Sequence, residues 1–350
     1  ADAGDPAGTY DVGWAYEKGY GVPEDEGIAM DWVEKAAKMG LPRGEWKLGM
    51  LEFRSAARER DKEEAVGWFQ KSADAGFPPG ELVMAWCYIH GVGVDQNAAT
   101  GIAWDKKAAM HGERAAQQDL IARYRSGIAV TKDEVEASKW AKMLAESGSL
   151  TAYEYLADLY GKGRGVAKDE AEAFHWNMEV AKQGVGYGER QVGMAYWNGR
   201  GVAQDRVEAV KWFEKAAAQH EGGAEGILGD LYDRGLLVPK DSAKAKALFC
   251  AGAMDGDLTA MNRCGYKLLQ PDKGEKPDPV EGVKWMTLLV DVAPSGPEHQ
   301  NAVTSLNWAT SRANAHQIME GTMRAEQLKD KWLAAANARL AAIRAAAQEN

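Results

Sequence analysis

Four sets of residues have types and spacings that could do chemistry. The first is a glycine-rich stretch, Gly161-Lys162-Gly163-Arg164-Gly165, which has the outline of a phosphate cradle. A nucleotide loop needs a strand before it and a Gly-Lys-Ser/Thr ending. Neither is present, and the same turn returns at Gly91-Val92-Gly93 and Gly199-Arg200-Gly201, so it reads as architecture. The second set is the histidines His90, His111, His175, His220, His299 and His316. No two stand three or four residues apart, the spacing that puts two ligands on one helix face. His220 simply fills a position held elsewhere by glycine. The third is the ladder Asp133, Asp169, Asp205, which could serve as catalytic or calcium-binding carboxylates but is explained by helix N-capping. The fourth is Cys87, Cys250 and Cys264, with no C-x-x-C spacing for zinc or thiol redox chemistry. Cys87 and Cys264 fall on helix positions expected to be buried. Cys250 and Cys264 flank the turn at Gly256, which makes a disulfide geometrically feasible, although two inert thiols are the plainer expectation. No nucleophile–base pair stands out. The reading is of a chain with no catalysis, cofactor or metal.

The elements that must position these residues follow from a repeat. Glycines stand at 40, 76, 112, 148, 184 and 256, each on a 36-residue clock, with His220 in the gap. Trp32, Trp68, Trp104, Trp140, Trp176 and Trp212 keep the same clock, and Trp285 follows one residue late. So do Tyr16, Tyr88, Tyr124, Tyr160, Tyr196 and Tyr232. The acids Asp25, Asp61, Asp133, Asp169, Asp205 and Asp241 form a fourth register, with Asn97 in the gap and Asp278 one late. Within residues 149–184, Ala152, Leu156 and Tyr160 share one helix face. Gly161, Gly163 and Gly165 end that helix, Asp169 is a natural N-cap for the next, and Glu172 takes its capping-box position. Ala173, Trp176 and Val180 mark the second buried stripe, and the repeated Trp is expected to fill the space beneath the small residues. A single hairpin cannot bury both faces; stacked hairpins can.

These residues resemble the Sel1-like repeat family, relatives of the tetratricopeptide arrays. The match is cleanest from Ala152 to Gly184 and from Val192 to Ala217, and extends over about residues 3–293. The resemblance implies an all-α fold, a right-handed α/α superhelical solenoid of about eight 36-residue helix–turn–helix units. These run approximately 5–40, 41–76, 77–112, 113–148, 149–184, 185–220, 221–256 and 257–293. Residues 294–350 follow the breaker cluster Pro294-Ser295-Gly296-Pro297 and read as a C-terminal helical cap, with Leu328, Trp332, Ala336, Leu340 and Ile343 on one stripe. Four units depart from the glycine turn, at Arg54–Asp61, Gly127–Val130, Leu236–Val238 and the longer Leu269–Pro277. Those loops are expected to deviate from the regular path.

The resemblance also implies a protein-interaction scaffold without catalysis, bacterial and envelope-associated, periplasmic or secreted, with a cytoplasmic location as the other possibility. An envelope adaptor or an immunity protein neutralising a secreted toxin would both fit; the alternative is a scaffold for cell-wall glycan or exported polysaccharide. The chain has 42 Lys and Arg against 52 Asp and Glu, a net charge of −10. That balance argues against nucleic acid and favours a basic protein partner. No uninterrupted apolar stretch is long enough to span a membrane. The resemblance places the first helices on the concave side of the array, and their face opposite the buried stripe, lining that concave groove, is the expected partner-binding surface. It carries Trp14, Lys18, Met50, Arg54, Trp86, His90, Tyr155, Asp158, Lys162, Met194, Asn198, Asp230, Arg234 and Tyr266. Trp14, Trp46, Trp86 and Trp197 lie outside the repeated Trp position, so the repeat itself does not demand them.

Overall fold

The computed structural model describes residues 4–56 and 59–349, with side chains for 4–56 and 61–334. Among the described residues there are 18 helices and no strand. They pair as α1 (Pro6–Lys18) with α2 (Glu26–Lys38), α3 (Pro42–Ser55) with α4 (Glu59–Asp74), and α5 (Pro78–His90) with α6 (Ala98–Met110). Next come α7 (Arg114–Ser126), α8 (Glu134–Glu146), α9 (Leu150–Lys162), α10 (Glu170–Lys182), α11 (Gly186–Asn198) and α12 (Arg206–Ala217). The series ends with α13 (Gly222–Arg234), α14 (Ser242–Met254), α15 (Leu258–Leu269), α16 (Pro279–Val292), α17 (Pro297–Thr310) and α18 (Ala315–Glu349). The chain divides into two compact units, Ala1–Asp169 and Glu170–Asn350. No helix among the described residues is long and apolar enough to cross a membrane.

The turn inside each hairpin explains why two of the sequence registers march together. The N–H of the capping Asp or Asn donates to the carbonyl of the Tyr nine residues earlier: Asp25 to Tyr16, Asn97 to Tyr88, Asp133 to Tyr124, Asp205 to Tyr196 and Asp241 to Tyr232, all at 2.8–3.0 Å. The same side chains then accept from the first backbone N–H groups of the following helix, at 2.8–3.1 Å. One residue per repeat thus closes the turn and starts the helix. Asp61 is the exception: α4 begins earlier, at Glu59, so Asp61 lies inside the helix rather than capping it.

The turn backbone needs two left-handed residues, as at Gly199 and Gly201 (φ 67° and 69°). A Cβ on Gly201 would overlap the Glu170 carbonyl, so glycine is required there by space as well as by torsion. Two of the four turns expected to deviate, Gly127–Val130 and Leu236–Val238, do not. Ala129 and Leu237 hold φ 62° and 63°, the same left-handed backbone, because the capping hydrogen bonds on either side still have to close.

Trp104, Trp140 and Trp285 are buried as the register predicts, but in the second, sixth and seventh repeats the deepest ring is the residue after that register. Phe69, Phe213 and Phe249 are fully buried, whereas Trp68 and Trp212 are half-buried beside Lys71 and Lys215, whose ammonium groups lie 3.8 and 3.9 Å from the indole centroids. Each Phe lies under a glycine of the preceding helix: a Cβ on Gly49, Gly193 or Gly229 would stand 2.6–2.7 Å from its ring. Where the facing residue is larger, the register shrinks. Ile121 in α7 and Ala141 in α8 hold the equivalent positions in the fourth repeat, both buried.

In the second unit α17 and α18 pack on α16. Gly321 permits the close approach, since a Cβ there would meet Val283 at 2.9 Å. Ala302, Ala309 and Ala325 are buried in the same core as Trp285 and Leu288, with Leu328 and Trp332 packed against it. Ala336, Leu340 and Ile343 lie outside the residues whose side chains are described. Cys250 and Cys264 do not remain thiols: a disulfide joins α14 to α15, with Cα atoms 4.9 Å apart. The helix hairpin brings their Cβ atoms together, which linear spacing alone left open. Cys87 is the buried free cysteine, its thiol pushed up to about 12 by burial.

Candidate functional site

In the third repeat the core register that holds Phe69, Phe213 and Phe249 elsewhere holds Asp105. Its facing residue is Ala85 rather than glycine, so both partners of the usual ring-over-glycine contact have changed together. The ring is absent, and a cavity of about 430 Å³ lies among α3, α4, α5, α6 and α7 with Asp105 in its lining. Met50, Phe53, Phe69, Leu82, Val83 and Trp86 form an apolar wall, and Asp105, Asp119 and Arg123 a polar floor.

The rim is aromatic. Phe53 meets Trp86 edge to face at 6.0 Å between centroids, and Trp86 lies 5.0 Å from the His90 ring. His90 Nδ1 is 2.9 Å from the Trp86 carbonyl oxygen. Trp86 is 43% exposed in spite of these contacts, leaving one side of the indole open to the cavity and solvent. At the floor Asp105 is 1% exposed. Arg123 Nε stands 3.4 Å from Asp105 Oδ2, and Arg123 Nη2 stands 3.5 Å from Asp119 Oδ2. Neither the Asp105 oxygen nor the Arg123 nitrogen completes a hydrogen bond. Burial pushes the Asp105 carboxyl up to about 7, against the pull of the Arg123 guanidinium and with a further push from Asp119. A buried carboxyl oxygen without a donor, in an apolar hollow of ligand size, is a place where a donor from outside is favoured.

The residues expected to bind a partner fall into separate groups. Met50 and Trp86 line this cavity and His90 stands beside it; Arg54, one residue beyond Phe53, is exposed. In the same unit Trp14 stacks on Tyr20 at 5.0 Å, and Lys18 pairs with Glu17 at 3.2 Å. Tyr155 lies under the Arg125 guanidinium at 4.5 Å. Asp158 pairs with Lys162 at 2.5 Å and with Arg164. Burial raises the Asp158 carboxyl, but these two cations outweigh it and hold it below the usual range. Asp158 and Lys162 therefore largely neutralise one another.

In the second unit Met194, Asn198, Asp230 and Arg234 line one hollow of about 300 Å³ with Trp197 and Phe213. Tyr266 is 46% exposed, but one face is covered by Trp308 of α17, stacked at 4.0 Å and 6°. His220 does more than replace a glycine. It adopts φ 58° and stands beside Glu225 and Asp255, so three possible metal donors meet where linear spacing showed none.

Asp105 went unseen in the sequence reading. Its signal was available: the register Val33, Phe69, Asp105, Ala141, Asn177, Phe213, Phe249 carries one acid among core residues. The Trp register one residue earlier is the stronger pattern and overlies it.

Eight matches to the Sel1 repeat model cover residues 6–41, 42–77, 78–113, 114–149, 151–176, 186–220, 224–257 and 258–290. Among solved structures the chain is similar to a protective antigen of uropathogenic Escherichia coli with the same repeat fold, at 24% identity over 96% of this chain and 86% of that one, TM-score 0.62. It is also similar to a Sel1 repeat protein of Oxalobacter formigenes, at 25% identity over 89% of this chain and 88% of that one, TM-score 0.59. Comparison with curated proteins gives no match. With the eight matched repeats, the hairpin architecture and these two likenesses in hand, the chain belongs to the Sel1 repeat family.

Proposed function

We propose that this protein is a non-catalytic interaction scaffold that grips a protein partner by a basic side chain seated in the Asp105 cavity. Sel1 repeat proteins generally mediate protein–protein interaction, and that is the coarse reading on which this one builds. One observation carries the finer reading: Asp105 lines an aromatic-rimmed apolar cavity, and its buried Oδ2 completes no hydrogen bond, with only the Arg123 Nε 3.4 Å away. A Lys or Arg side chain has the matching form, with an apolar stem for Met50 and Val83 and a donor-rich head for Asp105 and Asp119. The Trp86 and Phe53 rings add attraction for the cation. Its arrival would turn Asp105 into its charged form, so binding and ionisation are coupled. The net charge of −10 favours encounter with a basic partner. A periplasmic or secreted location accords with the Cys250–Cys264 bridge, since such bonds persist in oxidising compartments.

The test is selection from a random displayed peptide library on the full chain, repeated on Trp86→Ala and Asp105→Asn. The expected result is enrichment of peptides with a Lys or Arg flanked by apolar residues, lost on both variants. Peptides without a basic residue, or equal enrichment on the variants, would sink the reading. Trp fluorescence quenched by oligosaccharide but not by any peptide would favour the glycan alternative.

A further inference from the structure

One further register holds a buried polar residue near the start of the first helix in six of the eight repeats. Thr9, Glu45, Glu81, Gln117, Glu189 and Glu225 hold it, and all are buried. A buried carboxylate needs a donor, and twice the residue 30 positions on supplies one. His111 Nδ1 lies 2.7 Å from Glu81 Oε2, and Gln219 Nε2 donates to Glu189 Oε2 at 2.6 Å. In the seventh repeat that partner position is Asp255. There an acid faces an acid.

The seventh repeat carries two further anomalies at the same point. Glu225 is 4% exposed, and its Oε2 has no hydrogen-bond partner. His220 takes a left-handed backbone that disfavours any L side chain, at a position where glycine stands in six other repeats. Its Nδ1 is 3.9 Å from Glu225 Oε1, and the three side chains offer donor atoms all within 4.8 Å of one another. A strained residue, an orphaned buried oxygen and two opposed carboxylates share one small volume.

We propose that His220, Glu225 and Asp255 form a binding site for one divalent transition-metal ion of the zinc class. A dication would balance the two carboxylates and give Glu225 Oε2 the electrophile it lacks. The donor set selects the metal class: an imidazole nitrogen with carboxylate oxygens suits zinc and its neighbours, whereas calcium and magnesium prefer oxygen shells of six or more. Donors around a tetrahedral zinc stand roughly 3.4 Å apart, given metal–ligand bonds of about 2.1 Å. The His220 side chain is 81% exposed, so it is free to close the remaining distance. Three protein ligands leave a fourth position for water or a partner's side chain. The site joins the end of the sixth repeat to both helices of the seventh, and is independent of the Asp105 cavity.

The experiment is calorimetric titration of the untagged full chain with zinc chloride at pH 7.5, beside His220→Gly and Asp255→Gln. Glycine is native to that backbone in other repeats, and Asp255→Gln reproduces the Glu189–Gln219 pair, so both variants are built to fold. The expected result is one zinc per chain, weakened at least about tenfold in each variant. Zinc should also raise the Tm of the parent chain and leave that of Asp255→Gln unmoved. Absence of one-to-one zinc binding by the parent would overturn the proposal. So would affinity unchanged in both variants, or magnesium binding as tightly as zinc.

Discussion

Asp105 makes the first half of the molecule sensitive to pH, in a direction that can be worked out. Its carboxyl is pushed up to about 7 in the folded chain, from 3.8 when solvated. Between those values the folded state holds a proton that the unfolded state has released. Stability therefore falls as pH rises through this window. Below about pH 4 both states are protonated and the penalty vanishes; above about pH 7 it is fully developed. Each pH unit within the window costs about 1.4 kcal/mol, and the penalty is on the order of 4 kcal/mol when complete. From pH 5 to pH 8 the penalty grows by about 3 kcal/mol. Asp105→Asn keeps the shape of the protonated acid and removes the titration. Urea unfolding of parent and variant at pH 5 and pH 8, read by Trp fluorescence, isolates the effect, because every other titrating group is common to both. The parent should lose about 3 kcal/mol more than the variant over that range. Parallel losses would mean that Arg123 keeps Asp105 ionised in the folded state. The cavity floor would then carry a standing charge, and the coupling of partner binding to ionisation would be wrong.

Four other outcomes follow from the same geometry. Trp86→Ala should weaken a selected basic peptide by about 2 kcal/mol or more, with the circular dichroism spectrum unchanged, as expected for an exposed aromatic anchor. Asp105→Phe combined with Ala85→Gly restores the ring-over-glycine pair of the second, sixth and seventh repeats; it should raise Tm and abolish peptide binding together. Gly201→Ala should cost about 3 kcal/mol or more in denaturant titration, because a left-handed φ and the Glu170 carbonyl both oppose the new Cβ. Reduction of Cys250–Cys264, 14 residues apart in sequence, should lower unfolding free energy by about 3 kcal/mol, seen as an earlier melt with reductant present.

The sequence by itself determined the repeat, the helix hairpins and the family. The reason is physical: a 36-residue unit must bury the same face against each neighbour, so its cap, turn and core positions recur and can be counted. Leu156 and Val180 were legible as core for that reason, and both are fully buried. Periodicity also placed Met50 and Trp86 on one face, where they line the same cavity. It could not say that the space between them is empty, because a cavity is made by what is absent. Asp105 opens it only in combination with Ala85 and with the helices on either side. Nor could spacing weigh Asp158, whose charge is consumed by Lys162 and Arg164, or Tyr266, whose face is taken by Trp308. The Cys250–Cys264 bond and the meeting of His220, Glu225 and Asp255 belong to the same class. Their partners lie on different helices or in the turns that join them, and their separation is set by how those helices stack. Repetition fixes which positions face inward; only packing in three dimensions decides which of them touch.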